Sequence, residues 1–148
     1  MPDGREEAVG AAAKRHSPRN ERAKQIAALV GAGTGRRWVG VYEVTAREVV
    51  NLAWSGPAPP THPRFPAEQG LTGAAIRARE TVVSNDVARN PRYLTTLAST
   101  GSEMIVPVFV GGRVVGTLDV EDEIPDAFSG DNRRLFERVA REMSPLYE

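Results

Sequence analysis

The segment "GSEMIVPVFVGGRVVGTLDVEDE", residues 101 to 123, constrains this chain more than any other stretch. Two β-rich apolar runs flank a Gly-Gly pair, the pattern of an antiparallel hairpin. Carboxylates nevertheless occupy the outer end of each run, Glu103 on the first and Asp119 and Glu121 on the second. In the second run a period of two puts Val115, Thr117, Asp119 and Glu121 on one face and Val114, Leu118 and Val120 on the other. The apolar row should meet helices, leaving the polar row on the opposite face of the sheet. The placing of Glu103 depends on register. A two-residue Gly-Gly turn pairs Val110 with Arg113 and carries Glu103 opposite Val120, toward the helices. One extra residue in the first strand, at Pro107 where the ladder has no amide donor, or alternatively a three-residue turn, should set Glu103 opposite Glu121 and Ile105 opposite Asp119. The expectation is that all three acids share one face.

Helical spacing of Ala23, Ile26, Ala27 and Val30 predicts a helix over 20 to 30, ended by "GAGTG". Residues 1 to 20, rich in Ala and charge and interrupted by Gly4, Gly10 and Pro18, read as a flexible arm or a short frayed helix with no chemistry assigned. The domain proper is then 20 to 148. "RWVGVYEV" and "EVVNLAWSG" predict an antiparallel pair of strands near 37 to 45 and 48 to 54. Five prolines between 57 and 66 predict an extended surface loop rather than a strand, and residues 56 to 69 with 86 to 101 are a candidate lid. "LTGAAIRAR" reads as a short helix with Thr72 as N-cap, "ETVVSND" as a short strand, and "DVARNPRYLTTLASTG" as loop with a helical turn or two. Ser129 is placed to cap a last helix carrying the stripe Leu135, Phe136, Val139, Ala140 and Met143, with Phe128 stapling its start. This order predicts an α+β fold: a central antiparallel sheet of five or six strands, N- and C-terminal helices on one face, and a loop-covered pocket on the other.

Nineteen basic and nineteen acidic residues cancel, so no net field draws nucleic acid, and no apolar run is long enough to cross a bilayer. The cytoplasm is the expected compartment. The sequence contains no cysteine, which removes disulfides, thiolate metal sites and thiolate nucleophiles. His16 and His62 stand alone without ligand-spaced partners, so no metal or cofactor is expected. Trp38 and Tyr42 share a strand face with Gly40 between them, an arrangement that would leave a gap flanked by two rings, or would simply cover core.

Taken together, "GLTGAAI", "NDVARNPRY", "SEMIVPV" and "GRVVGTLDVEDE" before "FSGDNRRLFERVA" resemble the GAF domain family over residues 20 to 147. The pattern is most similar to the free methionine-(R)-sulfoxide reductases. That resemblance implies an aromatic wall at Trp38, Gly40 and Tyr42, and an amine-gripping set of acids at Glu103, Asp119 and Glu121, with Glu in place of a final Asp. It also implies catalytic cysteines, and Thr72 and Thr96 stand at two of their positions, so thiol-dependent reduction is excluded and no catalytic residue is assigned. The expected function is a non-catalytic sensory or regulatory module that binds a small, amine-bearing molecule. The alternatives are an enzyme of altered chemistry and a structural dimerisation module with a vestigial pocket. Expected partners are the small-molecule ligand, a second copy through the terminal helices, and a signalling protein.

Overall fold

The computed structural model describes residues 4–32, 37–91, 93 and 99–148. Helix α1 (Arg5–Ala13) leads into α2 (Arg19–Gly31), followed by strands β1 (Arg37–Val44), β2 (Glu48–Ser55) and β3 (Arg64–Pro66). Helix α3 (Gly70–Ala78), strand β4 (Val82–Ser84) and a 3-10 turn at Val87–Arg89 precede the hairpin of β5 (Ser102–Val110) and β6 (Arg113–Asp122). Helix α4 (Gly130–Glu142) and a last 3-10 turn, Ser144–Tyr147, complete the order. The strands form one six-stranded sheet in the order β3-β2-β1-β6-β5-β4, with every neighbouring pair antiparallel.

The main core lies between one face of this sheet and helices α1, α2 and α4. Ile26 and Val30 from α2 and Phe136, Val139 and Met143 from α4 are fully buried against Val39, Val41, Met104, Leu118 and Val120. Leu118 and Val120 form the row that the hairpin pattern assigned to the helices. The start of α4 is fixed as its sequence implies: Ser129 Oγ accepts from Asn132 N at 3.2 Å and Asn132 Oδ1 accepts from Ser129 N at 3.1 Å, a reciprocal cap. Phe128 turns into the core, and the Arg37 guanidinium lies 5.6 Å from its ring centroid and 5.7 Å from that of Phe136. No helix among the described residues is long and apolar enough to cross a membrane.

Four local expectations are corrected. Residues 5 to 13 are an integral core helix, not a frayed arm: Val9, Ala12 and Ala13 are buried and α1 packs on α2 and α4. Small residues at 12 and 13 allow that close approach, which weak amphipathicity hid. The proline-rich loop ends in a strand, since Phe65 pairs with Val49 and Pro66 with Glu48 at the sheet edge, where a missing amide donor is tolerated. Thr72 is not a cap; it is buried inside α3, whose N-cap position is Gln69. Finally, the hairpin bulge exists but not at Pro107. Gly111 and Gly112, with φ of 57° and 77°, form a two-residue turn, Phe109 pairs with Val114 and Val108 with Gly116, so Val115 of β6 is the extra residue. An insertion in β5 would have moved the pairing the other way. Gly116 beside the bulge admits the Tyr147 ring where a Cβ would collide with it. Pro107 pairs regularly with Thr117, just past the last β4 pair, Val82 with Ile105.

If α1 belongs to the core, Phe136→Ala and Val9→Asp should both be severe: about 3–5 kcal/mol for the first from lost packing, and a comparable loss for the second from an unpaired buried charge. Urea denaturation measures both, and an unchanged midpoint for Val9→Asp would detach α1 from the fold.

Candidate functional site

On the face away from the terminal helices, pairing alone assembles the site. Across β1, β6, β5 and β4, Trp38 stands opposite Glu121, Glu121 opposite Glu103, and Glu103 opposite Ser84. The row two residues along runs Gly40, Asp119, Ile105, Val82, and the next sets Tyr42 opposite Thr117. Glu103, Asp119 and Glu121 therefore share one face. They are not solvated strand ends either: their relative exposures are 4%, 3% and 1%.

The aromatic wall differs from the open slot the sequence allowed. A Cβ on Gly40 would fall into the edge of the Trp38 ring and 2.7 Å from Tyr42 Cε1, so the two rings lean in over the glycine instead of flanking a gap. Their centroids are 6.4 Å apart, and Phe65 adds an edge-on contact to Tyr42 at 6.0 Å. The glycine is what lets both rings close. Trp38 Nε1 donates to Ala58 O at 2.9 Å, anchoring the proline-rich loop above the site. Helix α3 covers the other side through Leu71 and Ala75 packed on Ile105.

Two hydroxyls that sequence reasoning had not singled out reach the acids. Tyr93 Oη donates to Glu121 Oε1 at 3.0 Å, and Thr100 Oγ1 donates to the same oxygen at 2.6 Å. Tyr93 ends the "NDVARNPRY" motif, whose position beside the hairpin was the available signal. Asn90 of the same motif donates to Ser84 Oγ at 3.2 Å. Thr72 is buried in α3, and Thr96 falls outside the described residues. His16 and His62 are exposed, and among the described residues no group of three or more His, Asp or Glu is arranged to hold a metal.

Electrostatics make the face unusual. Burial is the main cause holding the Glu103 carboxyl well above the usual range, reinforced by the charges of Glu121 and Asp119. Asp119 is also raised by burial, lowered somewhat by the neighbouring Thr117 hydroxyl and raised by the charge of Glu121. Asp119 Oδ1 has no hydrogen-bond partner among the described residues. Burial likewise raises the Tyr42 phenol, with Asp119, Glu121 and Glu103 adding to it. On the far side of β1, Tyr147 Oη donates to the backbone oxygen of Tyr42 at 2.6 Å, tying the C-terminal turn to the same strand.

Residues 21–146 match the sequence profile of the GAF domain. The chain belongs to the GAF domain family. Among solved structures, free methionine-R-sulfoxide reductase from Neisseria meningitidis in complex with its substrate superposes with a TM-score of 0.84 at 26% identity, over 94% of this chain and 83% of that one. The type II free methionine-R-sulfoxide reductase from Thermoplasma acidophilum gives 0.80 at 25% identity over 94% of each chain. GAF domain-containing protein A of Dictyostelium discoideum is 27% identical over 105 residues, which are 70% of this chain and 65% of that protein's length. This GAF domain thus keeps the fold of the reductases in a sequence without cysteine.

The acids give this GAF domain a pH signature. Between about pH 4, where unfolded carboxylates titrate, and their raised folded values, Glu103 and Asp119 hold protons that the unfolded chain has released. Stability from these groups is therefore complete at low pH and falls as pH rises. Asp119→Asn should flatten this decline and raise the thermal midpoint at about pH 8, by about 2–4 °C per kcal/mol relieved. Calorimetry at about pH 5 and pH 8 checks it, and parallel curves for the two proteins would contradict it.

Proposed function

We propose that this GAF domain is a non-catalytic module that binds a small molecule through a positively charged amine. The observation that carries the reading is Asp119: a carboxylate buried between β1 and β5, close to two further acids, with Oδ1 lacking a partner among the described residues. Such a group gains most from a ligand that brings both a positive charge and N–H donors. An ammonium at Asp119, Glu103 and Glu121 would leave the rest of the ligand against the rings of Trp38 and Tyr42. The likeness to two reductases whose names specify free methionine-R-sulfoxide supports an amino acid or its relative as the ligand class.

Reduction itself has no agent here, because a thiolate must attack the sulfoxide sulfur and a second thiol must release the product. The module instead fits sensing. Its ligand would order the segments above the site, and the Tyr147 bond to the Tyr42 carbonyl offers a route from the occupied face to the C-terminal turn. Self-association through α1 and α4 and a signalling partner would give that change an output. The same structural likeness, spanning 94% of the chain, favours as a second reading an enzyme that uses these acids for other chemistry.

The test is a thermal-shift screen with methionine, methionine sulfoxide, other amino acids and polyamines, each beside its N-acetylated form. A ligand present at 100 times its Kd should add about 2.7 kcal/mol of stability. The effect should vanish on acetylation and in Asp119→Asn. Turnover of a hit that is lost in Asp119→Asn or Glu121→Gln would favour the enzyme reading, and a flat screen would mean that the closed rings of Trp38 and Tyr42 mark a vestigial pocket.

A further inference from the structure

A separate groove of about 420 Å³ runs along the β5 edge of the sheet, between α4 and the link from α3 to β4. Arg133, Glu137 and Arg141 line one wall at intervals of one helical turn, and Arg79 stands on the other with Phe109 in the floor. Arg79 is held rather than free to sweep: its backbone is left-handed at φ 57°, its guanidinium stacks 5.5 Å from the Phe109 centroid, and it donates to the Gly112 carbonyl. The acidic residue of the α4 wall is already engaged. Glu137 Oε2 accepts from Thr81 Oγ1 at 2.6 Å and faces Arg133 Nε at 3.4 Å. Arg141 is exposed and has no ion pair among the described residues. Glu80 is the other acid on the lining, exposed at its rim. The groove is therefore electropositive in a chain whose net charge is zero.

Two constraints decide what fits. Arg133 and Arg141 are eight residues apart on α4, about 12 Å at 1.5 Å per residue, so a single phosphate or carboxylate cannot meet both. A strand cannot simply add to the β5 edge here, because Pro107 lacks an amide donor and the Phe109 carbonyl already accepts from Ser144 Oγ at 2.9 Å. Recognition must come through side chains spaced along the groove. We propose that this groove is a docking surface for an extended acidic segment of a partner protein, with carboxylates spaced to meet Arg79, Arg133 and Arg141. An extended run of about four residues covers the distance. The proposal is independent of ligand binding at the acid face.

The test uses the whole chain with hexaglutamate as probe, following the side-chain Nε–H signals of the arginines by NMR. The signals of Arg79, Arg133 and Arg141 should move selectively and saturably. The double variant Arg133→Glu and Arg141→Glu should weaken the interaction at least tenfold, while Arg47→Glu, in the exposed β1–β2 turn, should leave it unchanged. Raising salt should weaken it, as expected for exposed charges. Equal movement of all arginine signals, loss of binding in Arg47→Glu, equally tight saturation by inorganic phosphate, or concentration-dependent self-association that occupies these same signals would each overturn the proposal.

Discussion

Strand β6 runs between β1 and β5 in a register that sets Glu121 between Trp38 and Glu103, and Asp119 between Gly40 and Ile105. The site depends on that pairing. With side chains alternating along each strand, a slip of one residue on β5 would send Glu103 under the terminal helices and bring Met104 to the acid face. The single extra residue at Val115 sets the phase, with Gly116 giving way to the Tyr147 ring beside it. The same strands supply the apolar row that holds α2 and α4, so core and site are opposite faces of one registered hairpin.

Much of this was legible in sequence, because strong period-two patterns and a Gly-Gly turn are local signals. The hairpin, the strands near 37 to 55, the α2 stripe and the Ser129 cap follow from such signals, and the order of elements specified the α+β architecture. What was not legible depended on tertiary fit. The burial of α1 rests on small side chains meeting α2 and α4, which no amphipathic stripe announces. The side of the hairpin that carries the bulge depends on the aromatic ring that arrives from residue 147. Spacing set Trp38 with Tyr42 and Asp119 with Glu121, but the face of Glu103 turned on a bulge that sequence put on the wrong strand, and the closure of the rings over Gly40 is a packing outcome. Tyr93 and Thr100 reach Glu121 from a segment whose course local pattern did not define.

The chain shares a fold with sulfoxide reductases and contains no cysteine. Thiol chemistry needs a particular nucleophile, whereas recognition of an amine needs only carboxylates kept dry and close. Here three carboxyls lie buried on one face, and protons relieve their repulsion. On the proposed reading a cation would displace those protons, since ligand charge and proton occupancy compete for the same oxygens. The terminal helices lie on the other face of the sheet, and the arginine-lined groove runs along its β5 edge.

On the proposed reading, Asp119 and Glu103 hold protons in the dry, ligand-free site and give them up to a cationic amine. The most direct measurement is a carbon-13 NMR titration of their side-chain carboxyls, with and without an amine ligand found by screening. Both should titrate well above the ordinary carboxylate range of about 4 in the free protein, and the amine should drive their protons off. Ordinary titration of both groups in the free protein, or values unmoved by a bound amine, would contradict it.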